Sequence, residues 1–420
     1  MSATVTALDT TVLEVDMRHT LLLFAKALDY VGVDDCHHGH RVAYISACCA
    51  EKLGWDPVKV QKSFFSGFIH DCGVSKSREH LDLLAEMAPE TAGAHCERGY
   101  TALMQCSILH AFSNIVRFHH THWEELVQQD IPEDDRDVAA LVFLADRVDF
   151  LRAGSVAGLQ DDLVTLHKVS IGESIRAKAG TMFCPEMVEV MCELIDTDGF
   201  WFKMDVNHIE MMAQSFDADE WYNQKLSIEQ ITEVATFLAK IVDAKSPFTY
   251  EHSIRVAQLA HYLGGKMHLP SQTRDLLYVA GLVHDIGKLR TPDELLNKPA
   301  ALTPEEYTYV KRHTIDTEFA LNKVFPNSKI CEWASNHHEF IDGSGYPYQK
   351  KGDLLDVPSR IITFCDVYQA LSQDRPYRGR MTMEEKMEII SKMVTQRKLD
   401  KEVFRHAIEN LDEFDEIACG

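Results

Sequence analysis

HSIRVA at residues 252–257 has a near copy, HGHRVA, at residues 38–43, and this pairing decides how the chain is organised. Working outward, LFAKALD (23–29) matches FLAKIVD (237–243), and the pair His70–Asp71 matches His284–Asp285, all at one common offset. Further along, His95 pairs with His313, His119–His120 with His337–His338, and Asp146 with Asp366. Their offsets drift slightly, as insertions and deletions in loops would cause. One short match arises easily by chance, but an ordered series of six does not. The chain therefore reads as two copies of one domain, 1–210 and 211–420. The boundary lies near 205–226, where FDADEW and other polar residues interrupt the apolar pattern.

Each copy reads as helical. Apolar residues recur at three and four almost everywhere, as in Ile228, Ile231, Val234, Leu238 and Ile241 behind a Ser227–Gln230 capping box. Alternating strand patterns are nearly absent. The expected fold class is all-α, with two tandem helical domains related by an internal repeat.

Composition narrows the function. The net charge of −23 over 420 residues makes a poor non-specific binder of nucleic-acid polymers or anionic membranes. An anionic substrate would need positive charge supplied locally. No apolar run approaches the roughly 20 residues that span a bilayer, and the N-terminus lacks a signal-peptide pattern. A cytosolic protein is expected. Eleven cysteines form no CxxC and no paired framework, so they are expected as reduced, mostly buried thiols. Cys72 and Cys365 neighbour candidate ligands but are assigned to packing.

The chemistry concentrates in the second copy. His252, His284, Asp285, His313, His337, His338 and Asp366 run in order. A histidine beside an aspartate can serve one ion, or let the carboxylate bridge two. The adjacent His337 and His338 point in different directions, which suits two ions roughly 3.5–4 Å apart. Mixed imidazole and carboxylate ligation favours iron or manganese among first-row divalent ions and does not fit a thiolate zinc site. Any one of these histidines alone would more often be structural; the ordered, repeated series is the signal.

HDIGK (284–288) and HHEFIDGSGYP (337–347) resemble the two signature motifs of the HD-GYP phosphodiesterases, a branch of the HD superfamily of metal hydrolases. CDVYQALSQDRPYR (365–378) is similar to that family's next block. The resemblance covers about 227–415. It implies an all-helical metal-dependent enzyme that opens a cyclic dinucleotide, cyclic di-GMP or 3′3′-cyclic GMP-AMP, to a linear product. Tandem domains with one full signature resemble bacterial phosphodiesterases of the cyclic GMP-AMP type. The seven residues would hold two ions, and a water between two cations loses a proton easily and attacks phosphorus. His284, Asp285 and Lys288 are the catalytic candidates. Lys288, expected one helical turn after His284, would meet the scissile phosphate or protonate the leaving 3′ oxygen. Gly343, Gly345, Tyr346 and Pro347 form a turn-rich loop in which Tyr346 offers a ring for a base. Arg375 and Arg378 would grip the second phosphate or a guanine edge.

Two positions depart from the family. Phe248 stands where some members carry a glutamate for a third ion, so two ions are expected. Thr317 replaces a glycine four residues after His313.

The first copy retains His38, His70, Asp71, His95, His119, His120 and Asp146, a second candidate metal site, with Asp34 one turn before His38. However, Val74 replaces the lysine, THWEEL follows the histidine pair, and RVDFLRAG follows Asp146 without the arginines of DRPYR. Lys76 is two residues too late to substitute. His37, His40 and His122 lie off the repeat and read as structural. Three roles compete for this copy: a regulatory or structural partner packed on the second, a metal or ligand sensor, or a second hydrolase. For the whole chain the rivals are a nucleotide-sensing scaffold and a phosphomonoester-cleaving HD phosphohydrolase. The retained lysine and GYP loop favour the phosphodiesterase. The helix around 381–393 offers a surface for a homodimer.

Overall fold

Ser227 and Gln230 start their helix as the capping box requires: Ser227 N–H donates to Gln230 Oε1 at 3.0 Å, and Gln230 N–H to Ser227 Oγ at 3.4 Å. Behind this cap Ile231, Val234, Leu238 and Ile241 are all buried. The computed structural model of the chain describes residues 12–29, 37–74, 86–87, 92–156, 161–216, 223–244, 251–373 and 379–420. Helices dominate. The helices that carry the repeat in the first half are α1 (Met17–Asp29), α2 (His38–Lys52), α3 (Pro57–Ile69), α4 (Ala92–Met104), α5 (Ser113–Phe118) and α6 (Glu133–Val156). Their counterparts are α7 (Ile228–Ala244), α8 (His252–Lys266), α9 (Ser271–Val283), α10 (His313–Val324), α11 (Lys329–Ser335) and α12 (Val357–Ser372).

Packing repeats as well. α2 lies against α3 and α6 in the first set, and α8 against α9 and α12 in the second. In the first half Pro185–Ile195 also packs on α2. In the second, Leu411–Cys419 packs on α8 and α12. These additions close each core from outside the repeat.

One element was not expected. Val12–Asp16 (β1) pairs antiparallel with Asn223–Ser227 (β2), with Leu13 opposite Leu226 and Val15 opposite Gln224. Val15 and Leu226 are buried. The compact units are therefore residues 18–219 and residues 1–17 joined to 220–420. This differs from the expected division at 210/211, because the ladder's hydrogen bonds tie the first strand to the second unit. The two strands are five residues each, too short for their alternation to stand out against helical periodicity.

Candidate metal centre

Helix ends deliver most of the second unit's candidate ligands. His252 is the first residue of α8, His284 caps the C-terminus of α9, and His313 opens α10. His337 and His338 follow the end of α11, and Asp366 projects from the middle of α12. The ring orientations have a common cause. His284, His313 and His337 each place Nδ1 against the carbonyl three residues back, at 2.6–2.7 Å: Gly281, Val310 and Ala334. Donation from Nδ1 leaves a lone pair on Nε2, aimed at the centre.

All seven residues converge. Asp285 Oδ2 lies 3.3 Å from His284 Nε2 and 3.7 Å from His252 Nε2. Its other oxygen, Oδ1, lies 3.6 Å from His313 Nε2 and 3.5 Å from His337 Nε2. The two oxygens of one carboxylate thus face two different groups. Asp366 spans them as well, with Oδ1 3.4 Å from His252 and Oδ2 3.6 Å from His338 Nδ1. His252, His284 and Asp366 form one set whose ligand atoms lie within 4.8 Å of one another, and His313, His337 and His338 form another.

The donor set fits cations. His284 Nε2 and Asp285 Oδ1 are buried without a hydrogen-bond partner, a costly arrangement unless an ion completes it. His313 Nε2 and His337 Nε2 lie 3.1 Å apart, two lone pairs facing each other. Burial pushes His313 down to about 4, aided by Lys288, and His338 down to about 3. Burial likewise opposes ionisation of Asp285, but His284 and Lys288 outweigh it and hold the carboxyl well below its usual range. His252, His313, His337 and His338 are thus favoured as neutral imidazoles beside ionised carboxylates, the state that metal ligation requires, whereas Asp285 and Asp366 outweigh burial and raise His284, whose proton an ion would displace.

Lys288 reaches the site by a different path from the one expected. α9 ends at Val283, and residues Ile286–Arg290 form a 3-10 turn. The side chain folds back three residues, placing Nζ 2.5 Å from Asp285 Oδ2 at the partly exposed rim. This tight approach needs Gly287, where a Cβ would sit 1.9 Å from His313 O. Thr317 is explained by the same junction. Its hydroxyl donates to His284 O and accepts from Gly287 N–H, both at 3.0 Å.

The GYP loop folds directly onto the histidine pair. A Cβ at Gly345 would lie 2.4 Å from His338 O and from Phe340 N. Tyr346 N–H donates to His338 O at 3.1 Å, and the tyrosine ring lies 4.7 Å from the His338 ring. Glu339, buried and unremarked in the sequence, accepts from the N–H groups of Tyr348 (2.6 Å) and Lys350 (3.0 Å) and so holds the loop. Its adjacency to the histidine pair was the available signal. Gln373 Oε1, 3.3 Å from His252 Nδ1, was also missed. Arg375, Arg378 and Phe248 lie outside the described residues. Cys365 is buried, which pushes its thiol well up and suits packing.

The first unit brings its seven residues together too. Asp71 Oδ2 is 3.3 Å from His70 Nε2, and Oδ1 is 3.3 Å from His95 and 3.6 Å from His119. Asp146 lies 3.3 Å from His38 and 3.8 Å from His120. His40 packs on Phe68 and His122 stacks on Phe143. Asp34 and Lys76 lie outside the described residues. No helix among the described residues is long and apolar enough to cross a membrane.

Comparison with known proteins supplies the family. A family model described as HD domain matches residues 236–403, and a second HD domain model matches residues 37–151. A 3′3′-cGAMP-specific phosphodiesterase 1 of Vibrio cholerae is 40% identical over 406 residues, covering 97% of this chain and 94% of that protein. The 3′3′-cGAMP-specific phosphodiesterase 3 of the same organism is 30% identical, over 73% of this chain and 64% of its own length. A crystal structure of a V. cholerae cyclic GMP-AMP-specific phosphodiesterase shares the fold at a TM-score of 0.61 and 22% identity, covering 96% of this chain and 98% of that one. With two matched domains and near full-length similarity, the chain belongs to the HD-GYP branch of the HD metal-dependent phosphohydrolases, in the tandem-domain group that includes the cyclic GMP-AMP phosphodiesterases of V. cholerae.

Proposed function

We propose that the second unit hydrolyses one phosphodiester bond of a cyclic dinucleotide, 3′3′-cyclic GMP-AMP first and cyclic di-GMP second, and releases a linear dinucleotide. The observation that carries this reading is the Asp285 carboxylate, whose two oxygens face separate groups of ligands. His252, His284 and Asp366 would hold one divalent ion, His313, His337 and His338 the other, and Asp285 both. Iron and manganese suit such ligands best. When bound, the ions stabilise charge on the phosphoryl oxygens and lower the pKa of water.

The chain's own groups do the rest. Lys288, at the rim beside Asp285, meets a non-bridging phosphoryl oxygen or supplies a proton to the departing 3′ oxygen. Its flexible stem lets the ammonium move from Asp285 to substrate. Tyr346 presents an aromatic face next to His338, suited to stacking a base. Gly345 and Glu339 fix the loop that carries it. Arg375 and Arg378 are assigned to the second phosphate or a guanine edge.

The first unit is assigned a supporting role, since Val74 and THWEEL stand where the lysine and GYP loop would be. A reducing, cytosolic setting accords with ten free cysteines among the described residues. The deciding experiment compares turnover of the three purine cyclic dinucleotides with iron and with manganese. Cleavage of cyclic GMP-AMP to a linear product at the highest kcat/KM is expected; turnover of linear phosphomonoesters alone would overturn the reading.

A further inference from the structure

The two units treat the same constellation differently, and the difference lies in buried arginines. In the first unit Asp146 is gripped by Arg147, whose Nη2 lies 3.0 Å from Oδ1 and 2.8 Å from Oδ2, with Nε 3.1 Å from Oδ2. Arg147 also donates to the Glu86 carbonyl at 3.0 Å and lies over the Phe150 ring. One helical turn on, Asp149 accepts from Arg41 Nε at 2.7 Å and Arg152 Nε at 2.6 Å, and lies 2.7 Å from His38 Nδ1. All three arginines and both aspartates are buried. Arg152 Nη1 also meets Asp161 at 3.3 Å, so three guanidinium groups answer three carboxylates and Asp146 is charge-paired before any metal arrives.

The second unit has none of this on the matching helix. Val367, Gln369 and Ser372 follow Asp366 at the spacings where Arg147, Asp149 and Arg152 follow Asp146. Arg255, the counterpart of Arg41, turns to Glu251 at 2.9 Å instead. Lys288 does contact a ligand carboxylate, but as a single flexible ammonium at a partly exposed rim. Arg147 is fully enclosed and planar, and a buried guanidinium paired through two nitrogens does not give way easily.

Among the described residues, no such cation meets the other half of the first unit's constellation. Asp71, His95, His119 and His120 each offer one ligand atom within 4.8 Å of the rest. Asp71 Oδ1, His95 Nδ1 and His120 Nδ1 are buried without a hydrogen-bond partner. His38, His70 and Asp146 also offer ligand atoms within 4.8 Å of one another, and His70 Nε2 is unpartnered, but Arg147 engages both Asp146 oxygens and Asp149 holds His38 Nδ1. His119 donates Nδ1 to the Val116 carbonyl at 2.7 Å, so its Nε2 lone pair faces His95 Nε2 at 3.3 Å.

We propose that the first unit binds a single divalent metal ion, on Asp71, His95, His119 and His120, while Arg147 takes the place of a second ion against Asp146. Four protein ligands close such a site, as in structural rather than catalytic centres. A lone ion also cannot bracket the attacking and leaving oxygens of a phosphodiester. The first unit is then a metal-stabilised domain that does not hydrolyse the dinucleotide, for a reason separate from its missing loop.

The test uses the full chain, stripped with chelator, reloaded with excess Mn(II) and desalted. Metal per chain is counted by mass spectrometry, and spin coupling is read by electron paramagnetic resonance. His119→Ala and His95→Ala should each remove about one ion per chain together with the signal of an isolated Mn(II), whatever the second unit holds. Arg147→Leu should add about one ion and replace the isolated signal with a coupled one. Unchanged counts in both histidine variants, or the loss of about two ions from either, would overturn the proposal. Should Arg147→Leu fail to fold, the histidine variants decide alone.

Discussion

Lys288 is one flexible side chain on which much of the proposed chemistry converges. It contacts a ligand carboxylate and no described residue beyond Asp285 holds its ammonium. Lys288→Ala is therefore expected to lower kcat by about 10²-fold or more while leaving metal content intact, since a group that stabilises developing charge is typically worth that much. A variant with wild-type turnover would contradict the role. Thr317 is a structural case. Thr317→Ala leaves the Gly287 N–H buried without an acceptor, at a cost of about 1–3 kcal/mol. A lower denaturation midpoint for the second unit is expected, and an unchanged one would show that Gly287 finds another acceptor. The buried histidines also set a pH dependence. His313 falls to about 4, His119 to about 4 and His338 to about 3 by burial, whereas unfolded histidines protonate near 6.5. The unfolded chain then binds more protons between about pH 6.5 and 4, so stability of the metal-free protein drops as pH falls through that window. Asp243, raised to about 7 by burial, and His38, His70 and His284, raised by aspartates that outweigh their burial, oppose this, while His120, His252 and His337 are lowered and add to it. A urea midpoint at pH 5 below that at pH 7 is expected; equal midpoints would contradict the assignment.

At the level of elements, the helices and their ligands were legible because each repeats. A histidine at the start of α8 and another at the end of α9 have counterparts at the same places in α2 and α3, and no core requirement alone repeats imidazoles in that way. What escaped the sequence were contacts whose partners are set by packing. Glu339 reads as an ordinary acidic residue until the loop folds over it. Arg147, Asp149 and Arg152 follow Asp146 within two helical turns, yet nothing in their spacing says that Arg41 meets Asp149 from another helix. Thr317 read as a departure and is a hydrogen-bonded replacement. The turn at Gly287 is the tightest junction, and Gly287→Ala is expected to displace α10 and cost the second unit its metal, read as a reduced metal count in a chain that remains helical. Retention of full metal content would show that the junction can relax. Arg375 and Arg378 lie outside the described residues, so the arginine loop remains an expectation of the sequence.

For the whole molecule, the repeat carried the architecture and the division into units carried the surprise. Two copies were readable from ordered motifs. The return of β1 to the second unit was not, because five-residue strands far apart in sequence carry little pattern of their own. Deleting residues 1–16 removes the partner of β2 and uncovers Leu226, and burial of a side chain that size is worth about 1.5–3 kcal/mol. The second unit is expected to melt earlier in such a chain with its metal ligands unaltered; an identical melt would show β1 to be dispensable. A fragment of residues 215–420 lacks β1 as well as the first unit, so the chain without residues 1–16 is its control: lower activity and stability in the fragment than in that control is expected from support by the first unit, and equal values would end that idea. The central claim concerns the two oxygens of Asp285. Anomalous diffraction from crystals of the manganese-loaded chain tests it most directly. The expected result is two peaks roughly 3.5–4 Å apart, one on each side of Asp285; a single peak in the second unit, or none touching that carboxylate, would contradict it.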